Sequence, residues 1–128
     1  MENEDLRLGR ISKKVERGLG ISLPFGAGVY LRSWDMDLLV SRYPDRYLLL
    51  LEQMRTIMNR PCLSFFDQKA ESIYLFKRYG RKQPKTTVGI RIAALGKPKR
   101  WWIRGMRSYE IEEMNRMKSL YPFAEFGN

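Results

Sequence analysis

The sequence predicts an α+β fold, a long helix packed on a four-stranded antiparallel sheet, with an N-terminal helix and a closing C-terminal helix. Three observations predict it. Residues from Pro44 to Asn59 carry apolar side chains at helical spacing. Between residues 62 and 106, four segments with strand character are separated by turn residues. A second helical stripe follows after Ser108. Residues 1–10 read as a mobile start, and residues 11–128 as a single domain, a length suited to one core.

The N-terminal helix lies in "ISKKVERGLG". Ile11, Val15 and Leu19 recur at fourfold spacing, and Gly18 and Gly20 end the run. "ISLPFGAG" is a loop broken by Pro24, Gly26 and Gly28. "VYLRS" (29–33) alternates Val29 and Leu31 against Tyr30 and Arg32, as a short strand does.

The long helix begins near Pro44, because proline at the first helical position forfeits no hydrogen bond. Asp45 suits the positive end of the helix dipole. Leu48, Leu51, Met54, Ile57 and Met58 form its stripe, and Leu49 and Leu50 widen it into a well-buried helix. Asn59, Arg60 and Pro61 end it.

Four strands follow. They are "CLSFF" (62–66), "SIYLFKRY" (72–79), "TTVGIRIAAL" (86–95) and "RWWIRGM" (100–106). The second is apolar on both faces, which marks an inner strand. The third alternates Val88, Ile90 and Ile92 against Thr87, Gly89 and Arg91. In the fourth, Trp101 and Ile103 oppose Trp102 and Arg104, because adjacent strand residues face opposite ways. Ser108 is positioned to cap the final helix, whose stripe is Ile111, Met114, Met117 and Tyr121. Pro122 closes it.

Composition narrows the function. The chain has 24 Lys and Arg, 14 Asp and Glu and no His, a formal charge of +10. Such a surface attracts polyanions. Ten bases, and no acid, fall between Arg78 and Arg107. A compact fold must gather them into a positive patch. The absence of imidazole excludes triads built on a histidine base and His-bearing zinc sites. Cys62 is the sole cysteine, so it forms no internal disulfide and reads as a buried structural thiol. No cofactor and no metal are expected. The longest apolar run, Tyr47 to Leu51, is five residues, far short of a membrane span, and no signal segment precedes it. A cytoplasmic protein without a membrane partner is the expectation.

The predicted sheet should stack one face on the long helix. Its other face should then carry Arg91, Arg104, Trp102 and one of Lys77 or Arg78, flanked by the basic turn with Arg81, Lys82 and Lys85. Cations with an aromatic ring on an open sheet suit single-stranded RNA, with phosphates on the cations and a base on the ring.

The run "GLGISLPFGAGVYLRSWDMDLLVSRYPDRYLLLLEQMRTIMNRP", followed by "SIYLFKRY", "TVGIRIAAL" and "RWWIRGM", resembles the phage-associated nuclease-like domains of the barnase–EndoU–colicin–RelE class. The likeness covers residues 11–118 and is carried by "RYPD", the helix closed by "NRP" and the order of strands. It implies a ribonuclease-like fold and a toxin or phage-effector role. Where that class shows His-Pro, this chain has Tyr43-Pro44. The resemblance therefore implies either a silent member or a histidine-free, metal-independent endoribonuclease. RelE-type relatives imply Lys, Arg and Tyr for such chemistry. In that reading Tyr43, beside Arg42 and Arg46, is the candidate base, since neighbouring cations favour a phenolate. Arg91, Arg104 and Arg107 are candidates to hold the phosphate. Ser108 and Tyr109 are candidates to orient it. Three functions follow as expectations: an RNA-cleaving enzyme, a silent RNA- or ribosome-binding protein, or an effector that meets an acidic inhibitor or host protein.

Overall fold

A computed structural model describes residues 4–80 and 86–127. In chain order the elements are β1 (Leu6–Arg10), α1 (Lys13–Leu19), β2 (Gly28–Leu31), α2 (Ser33–Arg42), α3 (Tyr47–Asn59), β3 (Leu63–Asp67), β4 (Ser72–Tyr79), β5 (Thr86–Leu95), β6 (Arg100–Tyr109), α4 (Ile111–Leu120) and β7 (Phe123–Glu125). The strands form one mixed seven-stranded sheet in the order β1-β2-β6-β5-β4-β3-β7.

This corrects the four-stranded antiparallel sheet. Strands β3 to β6 form an antiparallel meander, but it is the middle of a wider sheet. β2 joins its β6 edge in parallel, Val29 opposite Trp101 and Tyr30 opposite Trp102. β1 pairs antiparallel with β2, so residues 6–10 form an edge strand where a mobile start was expected. β7 extends the other edge beside β3.

The helical layer also differs. α1 follows the sequence closely. The Ser12 side chain accepts from the Val15 N–H at 3.2 Å. Gly20 adopts the left-handed conformation and donates to the Arg17 carbonyl, while Ile21 donates to Glu16. These two bonds form the Schellman closure, which glycine enters without strain. α2 was not foreseen. None of its residues is buried, and its first free N–H, at Ser33, donates to Asp5 Oδ1 at 2.9 Å. α3 starts at Tyr47 rather than Pro44, and buries Leu51, Met54, Ile57 and Met58. Leu48, expected in the buried stripe, and Leu49, expected to widen it, are two-thirds exposed. β6 runs through Ser108, so the cap of α4 is Glu110: its side chain accepts from the Glu113 N–H, and its own N–H donates to the Glu113 side chain, a capping box.

The main core lies on one face of the sheet. Ile73, Leu75, Ile90, Ile92, Trp101 and Ile103 meet Val15 and Leu19 of α1 and Leu51, Met54, Ile57 and Met58 of α3. On the opposite face a smaller core gathers Leu63, Phe65 and Phe76 under Met114 of α4, with Cys62. Cys62 is buried and unpaired. The second face is therefore divided. α4 covers its β3–β4 end. Its β5-β6-β2-β1 half adds to the small core at the β6 end, where Tyr109 packs against Phe76, and this asymmetry positions the candidate site. No helix among the described residues is long and apolar enough to cross a membrane.

Candidate nucleic-acid interface

Strand alternation fixes what the uncovered half presents. Leu31, Val29, Trp101, Ile103, Ile90 and Ile92 point to the main core. Their neighbours therefore point the other way: Arg7 and Arg10 on β1, Tyr30 on β2, Arg100, Trp102 and Arg107 on β6, and Arg91 on β5. The sequences of β1, β2, β5 and β6 contain no Asp or Glu.

The centre of this half is aromatic. The rings of Tyr30 and Trp102 lie with centroids 5.8 Å apart at 50°. Both residues are half-buried. The Trp102 indole N–H donates to the Leu95 carbonyl at 3.1 Å, which fixes the ring. The Arg100 guanidinium stands 4.6 Å from the centroid of Tyr30, a cation–π contact that holds a charge beside the ring. Gly28 makes room for this group: a Cβ there would lie 3.2 Å from the Tyr30 ring and 3.3 Å from Arg7 Nε. By contrast Trp101 is buried against Phe25, centroids 5.2 Å apart.

Toward α4 the face becomes a cleft of about 420 Å³. Tyr74, Arg91, Arg107, Tyr109, Arg116 and Tyr121 line it, together with Glu113. Arg107 is held on two sides. Its guanidinium lies 3.6 Å from the Tyr109 centroid and donates to both Glu113 oxygens at 2.8 and 3.3 Å. Hydrogen bonding to Glu113 raises the Arg107 pKa. Arg107, then the Glu110 backbone N–H, hold the Glu113 carboxyl below its ordinary value. Arg91 Nη2 reaches the Ser72 hydroxyl at 3.4 Å, while its buried Nε has no partner. Burial raises the Tyr109 and Tyr121 pKa values above the ordinary phenol value.

The other candidates are dispersed. Arg104 is the extra residue of the β6 bulge between Ile103, opposite Ile92, and Gly105, opposite Arg91; it is exposed. Ser108 is exposed and alternates toward the main-core side. Lys77 shares that side and donates to the Arg60 carbonyl at 3.1 Å. Arg78 shares the uncovered phase but lies in a groove with Thr87, Ser108, Tyr109 and Lys118, beside α4. Tyr43, Arg42 and Arg46 belong to the α2–α3 junction in the helical layer, where the Tyr43 carbonyl accepts from Arg46 and Tyr47. Arg46 lines a groove there with Tyr79, which packs on the main core. The structure does not bring these three together with Arg91 and Arg107. Arg81, Lys82 and Lys85 lie outside the described residues.

Sequence reasoning missed Arg7, Arg10, Tyr30, Tyr74, Arg116 and Tyr121. Tyr30 left one signal, an aromatic ring in the non-core phase of "VYL". Among the described residues no group of three or more His, Cys, Asp or Glu could hold a metal ion. No family model, no curated protein and no solved structure matches this chain, so the likeness to the nuclease class rests on its local residues alone.

Proposed function

We propose that this protein binds single-stranded RNA, free or on the ribosome, across the uncovered half of its sheet. One observation carries the reading: the Tyr30–Trp102 pair sits within four strands that hold six arginines (Arg7, Arg10, Arg91, Arg100, Arg104 and Arg107) and no carboxylate. Unstacked bases have π-faces for the two rings, and the phosphates between them meet guanidinium groups. A duplex hides its base faces, so the rings favour single strands. A cytoplasmic location, where RNA is abundant, belongs to the same reading.

Binding without cutting is the version this arrangement supports. Cleavage by the RNA's own 2′-hydroxyl needs a base, a phosphate clamp and an acid at one phosphate. The candidate base Tyr43 sits in the helical layer, and the candidate clamp Arg91 and Arg107 on the opposite face.

The test is an affinity series with one labelled RNA, single-stranded and as its duplex, between about 50 and 200 mM salt. Preference for the single strand and a steep loss with salt support the reading. Equal affinity for both forms, or tight binding only to an acidic protein, contradicts it.

A further inference from the structure

The RNA platform ends at a wall. Met114 seats α4 on Leu63, Phe65 and Phe76, and the cleft lies where that helix meets the uncovered strands. A strand crossing β2, β6 and β5 arrives there end-on. We propose that the cleft lined by Arg91, Arg107 and Arg116 receives the terminal phosphomonoester of the bound RNA, an inference that rests on the platform reading above.

Three features carry it. The first is charge. Three guanidinium groups face one carboxylate, Glu113, which leaves an excess of two positive charges for a dianion. A terminal phosphate carries nearly two negative charges, an internal phosphodiester one. The second is preorganisation. Arg107 is fixed between the Tyr109 ring and Glu113 before any ligand arrives. Arg91 is tethered to Ser72 and keeps a buried N–H without a partner. Forked guanidinium donors match phosphate oxygens in geometry. The third is the Tyr109 phenol, which lines the cleft and is an O–H donor at neutral pH, whereas the Tyr121 hydroxyl beside it is bonded to Asp67.

The experiment compares one short RNA sequence in four forms on the full chain: 5′-phosphorylated, 3′-phosphorylated, hydroxyl at both ends, and circular. One phosphorylated form should bind roughly tenfold tighter than the hydroxyl-ended form, the scale of charge-assisted hydrogen bonds. Which end gains identifies the terminus. The circle should bind no tighter than the hydroxyl-ended strand. Arg116→Gln should bring the phosphate-to-hydroxyl ratio close to one, whereas Trp102→Ala should weaken both forms and keep the ratio. Equal binding of all four forms overturns the end-recognition site and leaves the platform standing. A ratio unchanged in Arg116→Gln also overturns it. Absence of binding by any form overturns the platform itself, and this inference with it.

Discussion

Tyr30 and Trp102 sit directly opposite each other in the parallel pairing of β2 with β6, their ring centroids 5.8 Å apart. Neither belongs to the main core, although each is flanked by residues that do: Val29 and Leu31 on one strand, Trp101 and Ile103 on the other. Two aromatic residues placed in register on the non-core phase of adjoining strands form a surface, and its fringe is arginine.

The two adjacent tryptophans should separate binding from stability. Trp102→Ala should lower single-stranded RNA affinity by about 1–3 kcal/mol, the usual worth of one base–aromatic stack, with little change in the denaturation midpoint. Trp101→Ala removes a side chain that is 4% exposed and should cost about 3–5 kcal/mol of stability. Affinity titration and urea unfolding on both variants check this pair.

Arginine fringe residues should reveal themselves in the salt dependence. Each phosphate contact contributes about −0.7 to the slope of log affinity against log salt for a single strand. Arg7→Gln and Arg100→Gln should each make the slope shallower by about that amount. Arg17→Gln, on the exposed side of α1, should leave it unchanged.

Gly89 should resist substitution. A Cβ there would stand 2.5 Å from Phe76 Cε1 and 2.8 Å from Tyr109 Cε1, below any real contact. The Phe76 and Tyr109 rings meet edge to face at 4.8 Å over that position. Gly89→Ala should destabilise the fold by about 1–3 kcal/mol through overpacking, as read from chemical denaturation.

Acid should loosen the contact between β6 and α4. The Glu113 carboxyl sits below its ordinary 4.5 in the folded chain because Arg107 bonds it. A depressed folded value means that the stabilisation is present above the unfolded value and is lost as pH falls through the folded one. The Lys118–Glu125 pair, 2.7 Å apart, follows the same sign. Glu113→Gln should flatten the stability profile below pH 4.5 and leave its shape above neutrality unchanged. Both carboxylates are at the surface, so the effect should shrink in high salt. Melting curves across pH measure it.

Asp5 should hold the start of α2. Its carboxylate accepts from the Ser33 N–H at 2.9 Å, a capping bond supplied by the residue just before β1. Asp5→Ala should cost about 0.5–2 kcal/mol, the range for a lost N-cap. Hydrogen exchange should speed up in α2 first, since that helix buries none of its residues.

The same details explain what the sequence revealed and what it hid. Strand β5 is legible because Val88, Ile90 and Ile92 alternate with Thr87, Gly89 and Arg91 in a single core. Helix α1 is legible because Ser12 and Gly20 end it with local hydrogen bonds. α2 has no such signature: Trp34 and Leu38 are exposed, and its cap comes from Asp5, just before β1 and distant in sequence. β1 and β7 are edge strands whose identity depends on neighbours that are distant in sequence. The bases of the β5–β6 region were visible as a run, and Trp102 by its phase. That Tyr30 completes the aromatic pair could not be read locally, because it follows from a parallel pairing across the whole chain. Tyr43 was singled out by its neighbours in sequence, and the fold places those neighbours away from the arginine face.

The central claim is that RNA lies on the Tyr30–Trp102 face. The three tryptophans report on it directly, because each indole N–H gives its own signal in a nitrogen–proton correlation spectrum. Trp102 is in the proposed interface, Trp101 is inside the core, and Trp34 is exposed on α2 in the helical layer. Titration with a short single-stranded RNA should move the Trp102 signal progressively and leave those of Trp101 and Trp34 nearly in place. A titration that shifts Trp34 while Trp102 stays fixed, or that moves none of the three, contradicts the account.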